Sequence, residues 1–379
     1  MSKHETISWN ELKHKAKLYL TLPGNGVFTV HTAREKKDNL FKKLYKTTEN
    51  VQPLWEKSLD SLPLHDTIIL GLPSDTGGGI QRGANWGPLF LRDTLLNLGD
   101  DLKAFDVGDV RVIPHLLHDK YLNLETIENC RKALYGDKMI NLPVSPLSIA
   151  YDFAKSLHQV FPSKRIFTIG GDHSASYPVV RAYLEEKSAK GIKVALIHFD
   201  AHTDLLTERL GIDICFGTWT AQVLPFLESP DCLIQLGIRS SGKDRNHWEN
   251  SFGHRQYWTH ELIGEKAETA ANEIIEHLKN IGIQELYISF DIDCLDQSYA
   301  GATGTPEPGG LSPYEPMLIM QKLFENFPIT GADIMEIAPQ VKSSDIKQME
   351  PETTLMVASH LSTFLIQAMS VKKSIGDHH

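Results

Sequence analysis

From residue 66 onward the chain alternates two apolar patterns. Short unbroken runs occur at "TIILGL" (67–72), "RIFTIGG" (165–171), "KVALIHFD" (193–200), "CLIQLGI" (232–238), "ELYISFDID" (285–293) and "ITGADIMEI" (329–337). Their length and β-branched content predict strands buried on both sides. Between them lie longer stretches whose apolar residues recur every three or four positions. These are "PLFLRDTLLNL" (88–98), "LSIAYDFAKSLHQV" (147–160), "PVVRAYLEEKSAK" (178–190), "KAETAANEIIEHLKNIG" (266–282), "PYEPMLIMQKLFENF" (313–327) and "ETTLMVASHLSTFLIQAM" (352–369). They predict helices, the first with Pro88 in its opening turn. The alternation predicts an α/β fold with a mostly parallel central sheet covered on both faces.

Residues 1–65 lack this rhythm. They are polar and Lys-rich, with short helical stripes at Trp9, Leu12 and Ala16, then at Leu40, Phe41 and Leu44. They read as an N-terminal extension packed on a main domain spanning residues 66–379. No internal repeat or low-complexity tract interrupts the chain.

Composition narrows the functional classes. Of 379 residues, 41% are apolar and 23% charged, which suits a globular protein with a large core. A net charge of -10 without a long basic run argues against nucleic acid as a partner. No apolar run approaches the ~20 residues needed to cross a bilayer. The N-terminus is too polar for a secretory signal. Cys130, Cys215, Cys232 and Cys294 are scattered and form no CxxC pair, so the expectation is reduced thiols in a cytoplasmic protein.

In a parallel sheet, ligands gather beyond the carboxyl ends of the strands. Three strand ends here are rich in acids and histidine: "GGDHS" (170–174), "DAHTD" (200–204) and "FDID" (290–293). Residues two apart in extended chain share a face, so Asp291 and Asp293 aim at one point, as do Asp200 and His202. Asp204 returns to that point if the chain turns after Asp200. A lone strand-end Asp is usually a cap or turn residue; three such motifs in one sheet point to a site. Four clustered carboxylates repel in a low dielectric. Two divalent cations balance them, and two imidazoles complete a shell suited to manganese, or to nickel, cobalt or zinc, but too rich in nitrogen for calcium. Water held between two such ions is acidified toward hydroxide near neutral pH.

These motifs resemble those of the ureohydrolases, the arginase and agmatinase family. "GGDHS", "DAHTD" and "SFDIDCLD" (289–296) match its metal motifs in order and spacing. "PSDTGGGIQRGANWGPLFLR" (73–92), "GATGTPEPGG" (301–310) and "ADIMEIAP" (332–339) resemble its early loop, its glycine-rich loop and its late strand. The likeness covers roughly residues 66–370. It implies a three-layer α/β/α fold and a binuclear centre, usually of manganese. One metal would be held by His173, Asp200, Asp204 and Asp291, and the other by Asp200, His202, Asp291 and Asp293. The implied reaction is hydrolysis of a C–N bond in a small cationic guanidino compound, releasing urea and an amine. Asp204 would move the proton and Glu336 would pair with the guanidinium. Asp172 is expected to form a turn rather than to ligate. Trimeric or hexameric homo-oligomers are common in the family.

Two departures bear on substrate. Phe216 stands before Gly217-Thr218, where many members carry a proton-shuttling histidine, and Gln297 follows Asp296 where proline is usual. They suggest a diverged member acting on a different guanidino substrate. The alternatives are formiminoglutamate-type hydrolysis releasing formamide, with Arg82 or Arg239 facing an acidic substrate, and a metal-binding member without catalysis.

Overall fold

The computed structural model describes residues 7–27, 31–99, 102–339 and 351–371. Its nine strands are β1 (Leu20–Thr21), β2 (Thr67–Leu72), β3 (Ala104–Val110), β4 (Arg165–Gly170), β5 (Val194–Phe199), β6 (Leu233–Ile238), β7 (Arg255–Trp258), β8 (Glu285–Asp291) and β9 (Ile329–Met335). They form one sheet in the order β1-β3-β2-β4-β9-β8-β5-β6-β7. Every pairing is parallel except β1 with β3.

Every residue of β2, β5, β6 and β9 is buried, which requires cover on both faces. Helices supply it in packed pairs. Pro146–Val160 lies against Ser176–Ala189, Gly87–Leu98 against Glu352–Ser370, and Lys266–Asn280 against Tyr314–Asn326. Each coincides, to within one or two residues at either end, with a stretch of helical spacing in the sequence.

The connections create a switch point. After β4 the chain passes over two strand positions to lay down β5, then β6 and β7 outward from it. It returns to fill the gap with β8 and β9. The carboxyl ends of β4, β9, β8 and β5 therefore lie side by side, where a reversal of strand order opens a crevice.

The N-terminal segment shares this core. The helix Trp9–Tyr19 begins at a capping box, in which Ser8 Oγ accepts from the Glu11 amide and Glu11 Oε2 accepts from the Ser8 amide at 2.6 Å. Its buried Leu12, Ala16 and Tyr19 face the body, and it packs on the helix Pro146–Val160. The chain then adds β1 to the sheet edge, and Trp55 Nε1 donates to Val107 O at 3.1 Å.

Strand β3, "AFDVGDV", escapes a search for apolar runs because it carries Asp106 and Asp109. Their counter-charge is remote in sequence. Arg92, 2% exposed, reaches Asp106 with Nε at 2.7 Å and Asp109 with Nη1.

Candidate metal centre

Four strand ends deliver the polar groups. After β4, Asp172 caps the short turn His173–Ala175: its Oδ1 accepts from the Ser174 amide, and its Oδ2 accepts from the Thr76 amide at 2.7 Å. Asp172 thus shapes the loop and turns His173 inward. After β5, Asp200 leads to His202, and Asp204 returns toward them with φ of +49°. After β8 come Asp291 and Asp293, and after β9 comes Glu336 at φ of +65°. Left-handed backbone is unfavourable for residues with a Cβ and collects at functional sites.

His173 Nδ1 is buried without a hydrogen-bond partner. It stands 3.1 Å from Asp200 Oδ2, 3.0 Å from Asp291 Oδ2 and 3.4 Å from Asp204 Oδ2. Its other nitrogen lies 3.0 Å from Ser289 Oγ, which itself donates to Asp333 Oδ1 at 2.7 Å. The serine oxygen is thus free to accept from Nε2–H, which leaves the Nδ1 lone pair aimed into the carboxylates. An imidazole anchored through one nitrogen with the other facing acids is the usual posture of a metal ligand. His202 Nδ1 lies 3.1 Å from Asp293 Oδ2 and 3.3 Å from Asp200 Oδ1, with Nε2 facing Glu307 Oε1 at 3.4 Å. Asp293 is braced by the Ala201 amide at 3.1 Å and the Thr305 hydroxyl at 2.8 Å. All six residues expected as ligands meet in one cluster.

The electrostatics match a cation-binding centre. Burial works against charge on Asp200, yet the imidazoles of His173, His198 and His202 beside it hold its carboxyl well below the ordinary range. Burial pushes Asp204 and Asp291 well above it, reinforced by Asp200 beside Asp204 and by Asp293 and Asp200 beside Asp291. Burial also opposes charge on His202, but Asp293 and Asp200 outweigh it and raise the imidazole far above its ordinary value. Such crowding of acids calls for positive charge, and the donor set of carboxylates and imidazoles fits divalent transition cations.

A polar row runs beneath the cluster. Gln256 on β7, Gln235 on β6, His198 on β5, Ser289 on β8 and Asp333 on β9 are register partners across the sheet, and all are fully buried. Gln235 Nε2 donates to Thr203 O at 2.6 Å and faces His198 Nδ1 at 3.0 Å. Its Oε1 accepts from Gln256 Nε2 at 2.9 Å and faces His254 Nε2 at 3.0 Å. Since Gln235 turns an N–H toward His198 Nδ1, His198 carries its proton on Nε2 and donates to Asp200 Oδ2 at 2.9 Å. Trp219, fully buried, stacks on His173 at 4.8 Å and donates through Nε1 to Asp204 Oδ2 at 2.9 Å.

Above the cluster lies a cavity of about 230 Å³, lined by His173, His202, Asp204, Asp291 and Glu336 below and by Leu206, Arg209, Phe216 and Trp248 toward its mouth. Glu336 Oε1 accepts from the His173 amide at 2.8 Å. Gly304 lies against Oε2, where an added Cβ would come within 3.0 Å. The Phe216 ring fills the space over Gly78, which a Cβ there would enter at 1.7 Å.

With this geometry in view, the comparisons decide the lineage. A family model described as the Arginase family matches residues 65–366. This chain belongs to the arginase family. An agmatinase of Chromobacterium violaceum is 29% identical over 313 residues, covering 82% of this chain and 86% of that protein. A mitochondrial guanidino acid hydrolase of Homo sapiens is 28% identical over 295 residues, covering 72% of each. Among solved structures, the proclavaminate amidino hydrolase of Streptomyces clavuligerus shares the fold with a TM-score of 0.60 at 23% identity, covering 81% of this chain and 92% of that one.

Membership in the family makes the neighbours of the six residues informative. His198 and Trp219 were not anticipated. His198 has a signal, since it sits two residues before Asp200 and so on the same face of β5. Trp219 has none, because its contact with Asp204 depends on how the loop between them folds. Arg239, considered for an acidic substrate, is instead spent on the backbone: its guanidinium donates to the carbonyls of Gly237, Asp293, Cys294, Leu295, Glu307 and Pro308. Arg82 packs against Gly77 and does not line the cavity. The arginine that does line it is Arg209.

Proposed function

We propose that the chain is a metal-dependent amidinohydrolase that cleaves a C–N bond of a small guanidino compound and releases urea and an amine. The observation that carries this reading is the convergence of four buried carboxylates and two imidazoles beneath a cavity that also holds Glu336. His173, Asp200, Asp204 and Asp291 would hold one cation and Asp200, His202, Asp291 and Asp293 the other, with manganese the first expectation and nickel, cobalt or zinc the alternatives. Bound there, the cations supply Lewis acidity and an acidified water. They cancel the four carboxylates, so Glu336 is left as the negative charge that a guanidinium meets.

The remaining work falls to the chain's own groups. Glu336 has Oε1 pinned by the His173 amide, so Oε2 is the oxygen that pairs with the planar guanidinium and turns its carbon toward the cluster. Asp204, steadied by Trp219, takes the proton of the attacking water and hands it to the departing nitrogen. Phe216 puts an apolar wall where many family members carry a histidine, so proton release runs through Asp204 and on to water or another residue of the cavity. The named relatives, an agmatinase and a guanidino acid hydrolase, act on this class of compound. The four free cysteines support a cytoplasmic location, and a trimer or hexamer follows the family habit.

The test is direct. Protein loaded with manganese or nickel should contain about two ions per chain and release urea from at least one member of a panel of guanidino compounds. Two bound ions with no urea from any of them would overturn the reading. Formamide from formiminoglutamate would replace it with the alternative reaction.

A further inference from the structure

The floor of the cavity is acidic, but its mouth is not. Arg209 is the only Lys or Arg among the lining residues. It forms no ion pair among the described residues, and its guanidinium lies 4.8 Å over the Phe216 ring. Three features hold it there. The Arg209 amide donates to Ile212 O at 2.7 Å and the Ile212 amide to Arg209 O at 3.0 Å. Between them Leu210 and Gly211 adopt φ of +53° and +83°, the tight mirror-image turn that fixes a hairpin. Beneath, Phe216 is seated against Gly78, where no side chain fits. A guanidinium held over a ring face can keep N–H groups free, and these match a carboxylate in two parallel hydrogen bonds.

We infer that the substrate is a short ω-guanidino acid and that Arg209 selects it by pairing with the tail carboxylate. The inference rests on the amidinohydrolase reading above and narrows it. The guanidinium end enters the acidic floor and the carboxylate stays at the cationic mouth. A diamine-derived substrate would present its ammonium to Arg209 and be repelled. Both charged groups line one cavity, so the carbon chain between the two ends must match the span from Glu336 to Arg209.

The experiment compares three substrates of matched length on metal-loaded protein, with carboxylate, ammonium and neutral alkyl tails, by urea release. The wild type should favour the carboxylate. In Arg209→Ala the ratio of kcat/KM between carboxylate and neutral tails should fall by about tenfold, mainly through KM, the mark of a contact made equally in ground and transition states. Arg209→Lys should keep the sign of the preference but only part of its size, since lysine retains the charge and loses the paired hydrogen bonds, and Arg209→Glu should turn it toward the ammonium tail. A proportional loss on all three substrates in Arg209→Ala would mean that the arginine only props Phe216, and would overturn the inference. Urea release without preference in the wild type would also overturn it while leaving the amidinohydrolase reading intact. Urea from none of the three, nor from the wider panel, would sink both.

Discussion

Replacing Trp219 with phenylalanine isolates what holds Asp204 in place. The indole is fully buried, with its ring plane 28° from that of His173 and a 2.9 Å hydrogen bond to Asp204 Oδ2. Phenylalanine keeps an aromatic surface against His173 and removes the donor. A hydrogen bond to a charged group contributes about 1.5–3 kcal/mol. The smaller ring also leaves a void, so unfolding stability should drop by roughly 1–3 kcal/mol. The larger consequence falls on metal retention. Asp204 sits in left-handed backbone, and its carboxylate is aimed at the cluster only while something restrains it. Losing such a partner typically weakens metal binding 10- to 100-fold. The assay is competition with a chelating dye after both proteins have been stripped, followed by urea rates at saturating manganese. If Trp219→Phe holds both cations within about twofold of the wild type, the indole is packing alone and the argument for its hydrogen bond fails.

Other outcomes follow from the same geometry. Glu336→Gln should retain both cations but lose at least ~100-fold in kcat, because an amide gives the guanidinium no counter-charge; unchanged turnover would remove Glu336 from the site. Arg92→Met should destabilise the fold by about 3–5 kcal/mol, since Asp106 and Asp109 lose their shared partner, and urea denaturation will read this directly. Burial, with Lys187 and Lys190 nearby, pushes the His158 imidazole down to about 3. Its folded pKa lies below the unfolded value of about 6.5, so this contribution is complete above pH ~6.5 and declines as the pH falls toward 3, by about 2 kcal/mol at pH 5. His158→Leu should therefore lose less Tm than the wild type between pH 7.5 and 5; equal losses would show that His158 takes no part in acid sensitivity.

What the sequence made legible had local periodicity. The central strands announced themselves as unbroken apolar runs, and Asp200, His202, Asp291 and Asp293 followed from two-residue spacing at strand ends, with Asp204 needing a turn and His173 supplied by the family resemblance. The groups that escaped are held by partners far away in the chain. Asp106 and Asp109 broke the apolar run of β3, and their partner Arg92 sits on another element. The polar row was hidden in a different way. His198, Gln235, Ser289 and Asp333 each interrupt an apolar strand once, which reads as noise until the register sets them side by side. Arg239 and Arg209 show the limit of charge alone: one arginine clasps carbonyls and the other lines the cavity, and only the loop paths tell them apart.

The order in which the strands are made differs from the order in which they lie. A ribosome has released nearly three-quarters of the chain before β8 and β9 exist, and these two fill the middle. Until then β4 and β5 lack their separators, three strand spacings or roughly 14 Å in the finished sheet. His173 and Asp200 acquire a common position only when the late segment slots between them. A cation held by this cluster would therefore find its full donor set only once those last strands are in place, unlike zinc in a finger, whose ligands lie in one short local segment.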